Sequence, residues 1–255
     1  MRKLFQVESV KRFSEQVSYI HSRILKSLII LTVFMVILHT YFFIINVSQQ
    51  IFGAPYTAIY MGLTGFSSLI YTFIIVYLIY LFTVEFEEGY AYLYLSHPIS
   101  KREFVSAWLF VSLGTTLVLY FLSLTLPVVV FDPTIIWRIF SIDILYMFLE
   151  YLSLGLITFL VSLKFRKKNI AFLTGIGLYY LLPFILLMLA SLSYPIYRTP
   201  PYKTIPGIIF SILYPFKSRA IFMYMRYNPS FYPSLFLTII VLALILYYSN
   251  RVEVV

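Results

Sequence analysis

Few residues in this sequence could act directly as catalytic groups or metal ligands. Cysteine is absent, and the three histidines, His21, His39 and His97, are spread along the chain. The adjacent acids Glu87 and Glu88 would suit a membrane metalloprotease only if further His and Asn ligands faced one metal site. No HExxH, GxSxG or Walker A sequence is present. The sequence therefore predicts neither an enzyme, nor a metal centre, nor ATP hydrolysis by this chain itself.

Three ionisable residues lie inside long apolar stretches. Glu150 lies near the middle of one stretch, Asp143 precedes it by seven residues on the same helical face, and His39 lies near the middle of another. An acid at mid-membrane costs about 2.5–3.5 kcal/mol on insertion scales, so it normally faces a bundle interior or an aqueous path. These residues form a candidate buried polar site. Three interpretations are open: a protonated, merely tolerated Glu150 with Ser or Tyr neighbours, a Glu150–His39 contact, or a place in a translocation path.

The composition explains why those stretches must be membrane spans. Hydrophobic residues make up 61% of the 255-residue chain and charged residues only 11%, whereas soluble domains carry about 25% charged residues. Six apolar runs are long enough for helices that cross the ~30 Å hydrocarbon layer. They lie at about 27–47, 62–84, 105–131, 139–163, 170–192 and 234–249. We therefore predict an all-α integral membrane protein with six transmembrane helices, forming one domain over residues 1–255.

Residues 1–26 precede the first predicted span and carry six Lys or Arg residues. The apolar run that follows is longer than the core of a signal peptide, and no small-residue cleavage site ends it. Apolar residues recur at steps of three and four along this basic segment, at Val10, Phe13, Val17, Ile20 and Ile24. That spacing predicts an amphipathic interfacial helix along the inner membrane surface.

In a membrane protein the net charge of +9 indicates orientation rather than binding to nucleic acid, because Lys and Arg collect on the cytoplasmic side of the membrane. With both termini inside, thirteen of the nineteen basic residues fall in cytoplasmic segments, four of them between positions 164 and 168. The reverse orientation would leave only six inside. We therefore predict a multi-pass protein of the cell membrane with both termini in the cytoplasm, in contact with lipid and not with nucleic acid.

The connection between the second and third predicted spans has a distinctive order of residues. Glu87 and Glu88 end the second span with negative charge, and Gly89 lets the backbone turn. Ser100 and Glu103 form a capping box that begins the third span. One interpretation is an ordinary interhelical loop. The other is a docking element whose acidic cluster faces a cytoplasmic partner.

With these features, the loop over residues 85–104 resembles the corresponding segment of the membrane permeases of type-2 ATP-binding cassette (ABC) exporters. The shared order is an acidic pair, a glycine, a short apolar stretch, then Leu-Ser, Pro-Ile-Ser and a basic residue. The matching positions are Glu87, Glu88, Gly89, Leu95, Ser96, Pro98, Ile99, Ser100, Lys101 and Arg102. The resemblance extends to the six spans, the basic amphipathic N-terminal helix and the two cytoplasmic termini.

This resemblance implies a function in transport. In that family the loop is the intracellular coupling helix, which contacts a separate nucleotide-binding ATPase, and two identical or related permeases pair around a central path. ATP and Mg²⁺ would be bound by the partner ATPase, and no cofactor by this chain. The substrate stays open, since aromatic-lined spans suit lipids, drugs, glycolipids or peptides equally. The alternative function is a non-catalytic structural or proton-handling subunit of a membrane complex, in which Glu150 and His39 would form a relay.

The segment between the fifth and sixth spans, residues 193–233, contains seven of the twelve prolines and no acid. It cannot be one long helix. Its apolar run at 207–216 is too short to cross a membrane, so it is either a re-entrant piece or part of a structured extracellular cap. Type-2 ABC permeases place short re-entrant helices at this point. We expect the run to cap the path with Phe210, Leu213 and Tyr214 against the fifth span.

Three bases, Lys217, Arg219 and Arg226, follow this apolar run. Because no acid lies in the same segment, their partners must come from elsewhere. Lipid phosphates are the favoured partners and an anionic substrate head group is the alternative.

Overall fold

The computed structural model describes six stretches of the chain, residues 2–49, 56–91, 100–131, 142–197, 200–222 and 229–250. Every regular element within those stretches is a helix, and six helices are long and apolar enough to cross a membrane. The candidate spans are Ile24–Tyr41, Ser68–Glu87, Lys101–Pro127, Ile144–Phe165, Lys168–Leu192 and Phe231–Asn250. Each overlaps a predicted span, so the described residues confirm the prediction of an all-α protein with six helices long and apolar enough to span a membrane.

The first two helices are α1 (Arg2–Gln49) and α2 (Tyr56–Glu87). The third, α3, begins as Lys101–Leu109, passes through a π-helical turn at Phe110–Thr115 and continues as Thr116–Phe131. A π-helical turn holds one extra residue and shifts the hydrogen-bond register, and such turns are frequent at functional sites.

The second half of the chain begins with α4 (Ile142–Phe165). The next helix, α5, begins as Lys168–Ile176, contains a second π-helical turn at Gly177–Leu181 and continues as Leu182–Tyr197. Only Arg166 and Lys167 separate α4 from α5. Arg166 has a positive φ of 53°, which reverses the chain within these two residues.

The described residues after α5 form three shorter helical elements and one long helix. A 3₁₀ turn at Pro201–Lys203 leads into α6 (Ile205–Leu213), and α7 (Pro215–Phe222) follows after one intervening residue. The last helix is α8 (Phe231–Asn250). Pro215 cannot donate the backbone hydrogen bond that would continue α6, which explains why α6 and α7 are separate helices.

These helices form two compact units. The first unit comprises Met1–Leu78 and Leu93–Ser141, and therefore holds α1, most of α2, and α3. Its core includes the rings of Tyr71 and Tyr120, whose centroids are 4.5 Å apart. The second unit comprises Ile79–Tyr92 and Ile142–Val255. The end of α2 and the turn after it therefore belong with the later helices.

Helix α1 is continuous, although the sequence predicts an interfacial helix at 1–26 followed by a separate span. No glycine or proline occurs before Gly53, so the sequence contains no residue that would break the helix. Residues before the candidate span contact α3: the Phe13 and Phe110 rings are 6.2 Å apart, and His21 Nε2 lies 2.9 Å from Thr115 Oγ1. The placement of residues 1–26 along the membrane surface stays a prediction.

Candidate functional site

The candidate site with the most complete geometry is centred on the carboxylate of Glu150 in α4, which is fully buried. Its Oε2 accepts hydrogen bonds from the backbone N–H groups of Phe216 at 3.0 Å and Lys217 at 3.1 Å. These groups lie in the first turn of α7, where N–H groups have no partner within the helix. Glu150 therefore caps α7 from another helix, 66 positions away along the chain.

The second oxygen of this carboxylate has a cationic partner. Lys217 Nζ lies 3.1 Å from Glu150 Oε1 and 5.1 Å from the centroid of the Tyr214 ring. The lysine side chain keeps 32% of its surface exposed, whereas the glutamate keeps none. The buried charge of Glu150 is therefore balanced by a lysine and by the positive end of the α7 dipole.

The hairpin formed by α6 and α7 has its tip at Tyr214, which is fully buried. The Tyr214 hydroxyl donates a hydrogen bond to the carbonyl of Leu178, within the π-helical turn of α5. Ser211 and Ser218, one on each arm, are joined by a hydroxyl–hydroxyl hydrogen bond of 2.8 Å. Phe210 is also buried and packs against Tyr214 with ring centroids 5.4 Å apart. The tip is thus held to α5 by its own tyrosine.

Backbone groups at the break between α6 and α7 are satisfied by side chains of other helices. Ser234 of α8 donates to the carbonyl of Ile212 at 2.6 Å, while Glu150 accepts from the two amides that follow the break. At the start of α6, Thr204 Oγ1 accepts from the N–H of Gly207 at 3.2 Å. Side chains of α4 and α8 therefore supply hydrogen-bond partners to backbone groups at this break.

The hairpin contacts α4 and α5 inside their candidate spans. Glu150 is the seventh residue of the span Ile144–Phe165, about 9 Å along the helix axis from its start. Leu178 lies within the span Lys168–Leu192. Of the three residues predicted to form the outer cap, Phe210 and Tyr214 are buried and Leu213 is half-buried.

The second candidate site is the connection between α2 and α3. Gly89 has a positive φ of 80°, a conformation that glycine adopts without the steric cost of a Cβ, and a helix begins again at Tyr90. At the far end the predicted capping box is confirmed: Glu103 N–H donates to Ser100 Oγ at 3.2 Å, and Ser100 N–H donates to a Glu103 carboxylate oxygen at 2.9 Å. Lys101 is the first residue of α3. The predicted residues Leu95, Ser96, Pro98 and Ile99 lie outside the described part of the chain.

The acidic pair at the end of α2 has partners within this chain. Glu87 Oε2 accepts a hydrogen bond from the backbone N–H of Lys168 at 2.9 Å, and Lys168 Nζ lies 3.5 Å from Glu88 Oε1. Both glutamates remain exposed. Their exposure is compatible with the predicted contact to a cytoplasmic partner. The contacts to Lys168 also attach the end of α2 to the start of α5.

The predicted buried polar site also includes His39 and Asp143. His39 is buried in the first unit, where its Nδ1 lies 2.8 Å from the carbonyl oxygen of Ser123. Asp143 lies in the first turn of α4, and its side chain is outside the described part of the chain. Glu150 belongs to the second unit and has the partners given above.

Sequence reasoning missed the two lysines that complete these sites. The sequence predicts lipid phosphates, or else an anionic substrate head group, as the partner of Lys217, but its Nζ lies beside Glu150. The sequence does contain an indication of this ion pair. Lys217 is the first base after the apolar run of a segment that contains no acid, and a buried acid such as Glu150 needs a cationic partner. The pairing of Lys168 with Glu87 and Glu88 is harder to predict, because Lys168 is one of four bases between positions 164 and 168. Nothing in its spacing distinguishes it from its neighbours.

Six helices that are long and apolar enough to cross a membrane indicate a multi-pass α-helical membrane protein. No protein-family model matches the sequence, and no curated protein matches it significantly. Within the described residues, no group of three or more His, Asp or Glu side chains could hold a metal ion.

Proposed function

We propose that this chain is the permease subunit of a type-2 ABC exporter, working with a separate cytoplasmic ATPase that binds ATP and Mg²⁺, and with a second identical or related permease. The observation that carries the proposal is the connection between α2 and α3. It turns sharply at Gly89, begins a new helix at Tyr90, and ends at the Ser100–Glu103 capping box. A turn at one end of the connection and a helix cap at the other support a coupling helix between them, and the sequence of the connection resembles one.

We further propose that α6 and α7 form the re-entrant pair that closes the outer end of the path. Their nine and eight residues correspond to about 13 and 12 Å of helix, less than half of the ~30 Å hydrocarbon layer. The contacts of Tyr214 with Leu178 and of Glu150 with α7 support insertion, because they lie inside the candidate spans. Re-entrant backbone must be covered by protein, and the side chains of Glu150 and Ser234 meet that need.

The proposed orientation can be tested by single-cysteine labelling, since the chain contains no cysteine. Cysteines introduced at Ser48 and Thr204 are expected to react with an impermeant maleimide added to intact cells. A cysteine at Ser96 is expected to react only after the membrane is permeabilised. Labelling of Ser96→Cys in sealed cells would contradict the cytoplasmic position of the loop.

The docking function of the loop can be tested by replacing Glu88 with Gln and Gly89 with Ala together. Alanine at a φ of 80° costs about 1–2 kcal/mol, and the lost carboxylate removes charge from the exposed face. We expect the ATPase that co-purifies with the permease to fall about tenfold, or its ATP turnover to become independent of the permease. Size-exclusion chromatography of the variant controls for folding. Unchanged co-purification together with unchanged ATP turnover would count against docking through this loop.

A further inference from the structure

The start of the proposed docking loop is attached to the start of α5. Glu87 Oε2 accepts the backbone N–H of Lys168 at 2.9 Å, although the two residues are 81 positions apart. Helix α5 has no cap of its own, because its N-cap residue, Lys167, makes no side-chain capping hydrogen bond. The first N–H groups of a helix need external acceptors, and a carboxylate is favoured at that end of the helix dipole. Glu87 therefore supplies to α5 the cap that its own sequence lacks.

Two further contacts join the same segments. Lys168 Nζ lies 3.5 Å from Glu88 Oε1, and the Arg166 guanidinium lies 5.8 Å from the centroid of the Phe86 ring. The division of the chain into units agrees with these contacts: residues Ile79–Tyr92 belong to the same compact unit as α4 and α5, and not to the unit that contains the rest of α2. The turn at the start of the loop is thus part of the structure around α5.

We propose that Glu87 is a positioning residue that couples the docking loop to α5, so that a displacement of the loop by the ATPase moves the first turn of α5. This inference rests on the proposed function as a permease with a separate ATPase. The hydrogen bond acts on the backbone of α5, so it transmits force to the helix itself rather than to a flexible side chain. The Lys168–Glu88 ion pair is about one-third exposed or more on each side, and it contributes little because solvent screens it.

Substitution of Lys168 can separate the two contacts. Lys168→Pro removes the N–H that Glu87 binds. Proline is accommodated at this position because it is the first residue of the helix, and because Lys167 has φ −117° and ψ 121°, the extended conformation that a residue before proline prefers. Lys168→Ala keeps the N–H and removes only the ammonium group.

The readout is the motion of α5 when ATP is added to the permease–ATPase complex. Leu173 on α5 is 69% exposed, and in this cysteine-free chain Leu173→Cys accepts a single spin label before the ATPase is added. We expect the ATPase to stay bound in both Lys168 variants. The ATP-dependent spectral change is expected to fall about fivefold in Lys168→Pro, whereas Lys168→Ala keeps more than about half of it.

Variants of Glu87 test the same hydrogen bond by changing its acceptor. Glu87→Ala removes the acceptor, and its spectral change per bound ATPase is expected to match that of Lys168→Pro, so this variant provides the test if the proline variant folds poorly. Glu87→Gln keeps an acceptor oxygen and is expected to restore most of the response. The combination of Glu87→Ala with Lys168→Pro is expected to be no worse than either change alone, because both remove one contact.

Three outcomes would contradict these expectations. A full ATP-dependent change in both Lys168→Pro and Glu87→Ala would overturn the coupling role, as would an equal loss in Lys168→Ala and Lys168→Pro. Failure of any ATPase to bind the unmodified permease would instead overturn the proposed function and, with it, this inference.

Discussion

Replacing Glu150 with leucine is expected to lower the stability of the protein by about 3 kcal/mol, a fall of about 6–10 °C in apparent melting temperature in detergent. Glu150 is fully buried and accepts the N–H groups of Phe216 and Lys217. Leucine is similar in size but accepts no hydrogen bond, so the first turn of α7 loses its cap and Lys217 loses its counter-charge. The measurement is thermal unfolding of the purified protein followed by size-exclusion fluorescence.

A matched variant separates hydrogen bonding from charge. Glu150→Gln keeps an oxygen that can accept hydrogen bonds from the two backbone N–H groups. It is therefore expected to fold normally and to lose less than half as much stability as Glu150→Leu. Lys217→Met is also expected to have a smaller effect than Glu150→Leu, because the lysine side chain is partly exposed and the backbone contacts to Glu150 remain. If Glu150→Leu proved as stable as the unmodified protein and fully active in transport, Glu150 would be a merely tolerated acid.

Replacing Gly207 with alanine is expected to have an effect of similar size, about 3 kcal/mol, through a different mechanism. A Cβ added at Gly207 would lie 1.9 Å from the carbonyl oxygen of Pro201 and 2.8 Å from its carbonyl carbon. Both atoms belong to the backbone, so no side-chain rotation can relieve the clash. The start of α6 would have to move away from the preceding 3₁₀ turn, which would displace the hairpin and its tip at Tyr214.

Gly177→Ala is the control for this prediction. Gly177 is also helical and lies in the π-helical turn of α5, but no atom lies within 4 Å of an added Cβ. We expect Gly177→Ala to leave the melting temperature unchanged within about 2 °C. Equal melting temperatures for Gly207→Ala and Gly177→Ala would contradict the close packing of α6 on the 3₁₀ turn.

The six spans could be predicted from the sequence because their signal is local. Each is a long apolar run, and a bilayer admits few alternatives to a helix for such a run. The ends of the connection between α2 and α3 were predictable for the same reason, since the turn at Gly89 and the capping box of Ser100 with Glu103 depend on residues close together in sequence. The continuous α1 was not predicted, because a change from basic to apolar composition was taken as a break where the sequence contains no helix breaker.

The partners within each site could not be predicted, because they depend on tertiary contacts. Lys217 lies 67 positions from Glu150 and Lys168 lies 81 positions from Glu87. In both pairs a carboxylate on one helix caps the first turn of another, and helical periodicity carries no information about which helix ends meet. Sequence reasoning recognised that a buried Glu150 needs a partner, and it considered His39 and Ser or Tyr neighbours, but not the bases of the outer segment.

The central claim is that this chain is a permease driven by a separate ATPase, and isolation of the native complex tests it most directly. The tagged protein, expressed at its native level, is purified in a mild detergent, and every co-purifying chain is identified by its mass spectrum and assayed for ATP hydrolysis. We predict a stoichiometric partner that contains a Walker A sequence, with ATP turnover that falls when Glu88 and Gly89 are replaced together. A complex that lacks any nucleotide-binding chain and shows no ATP hydrolysis would contradict the claim and favour a structural or proton-handling subunit.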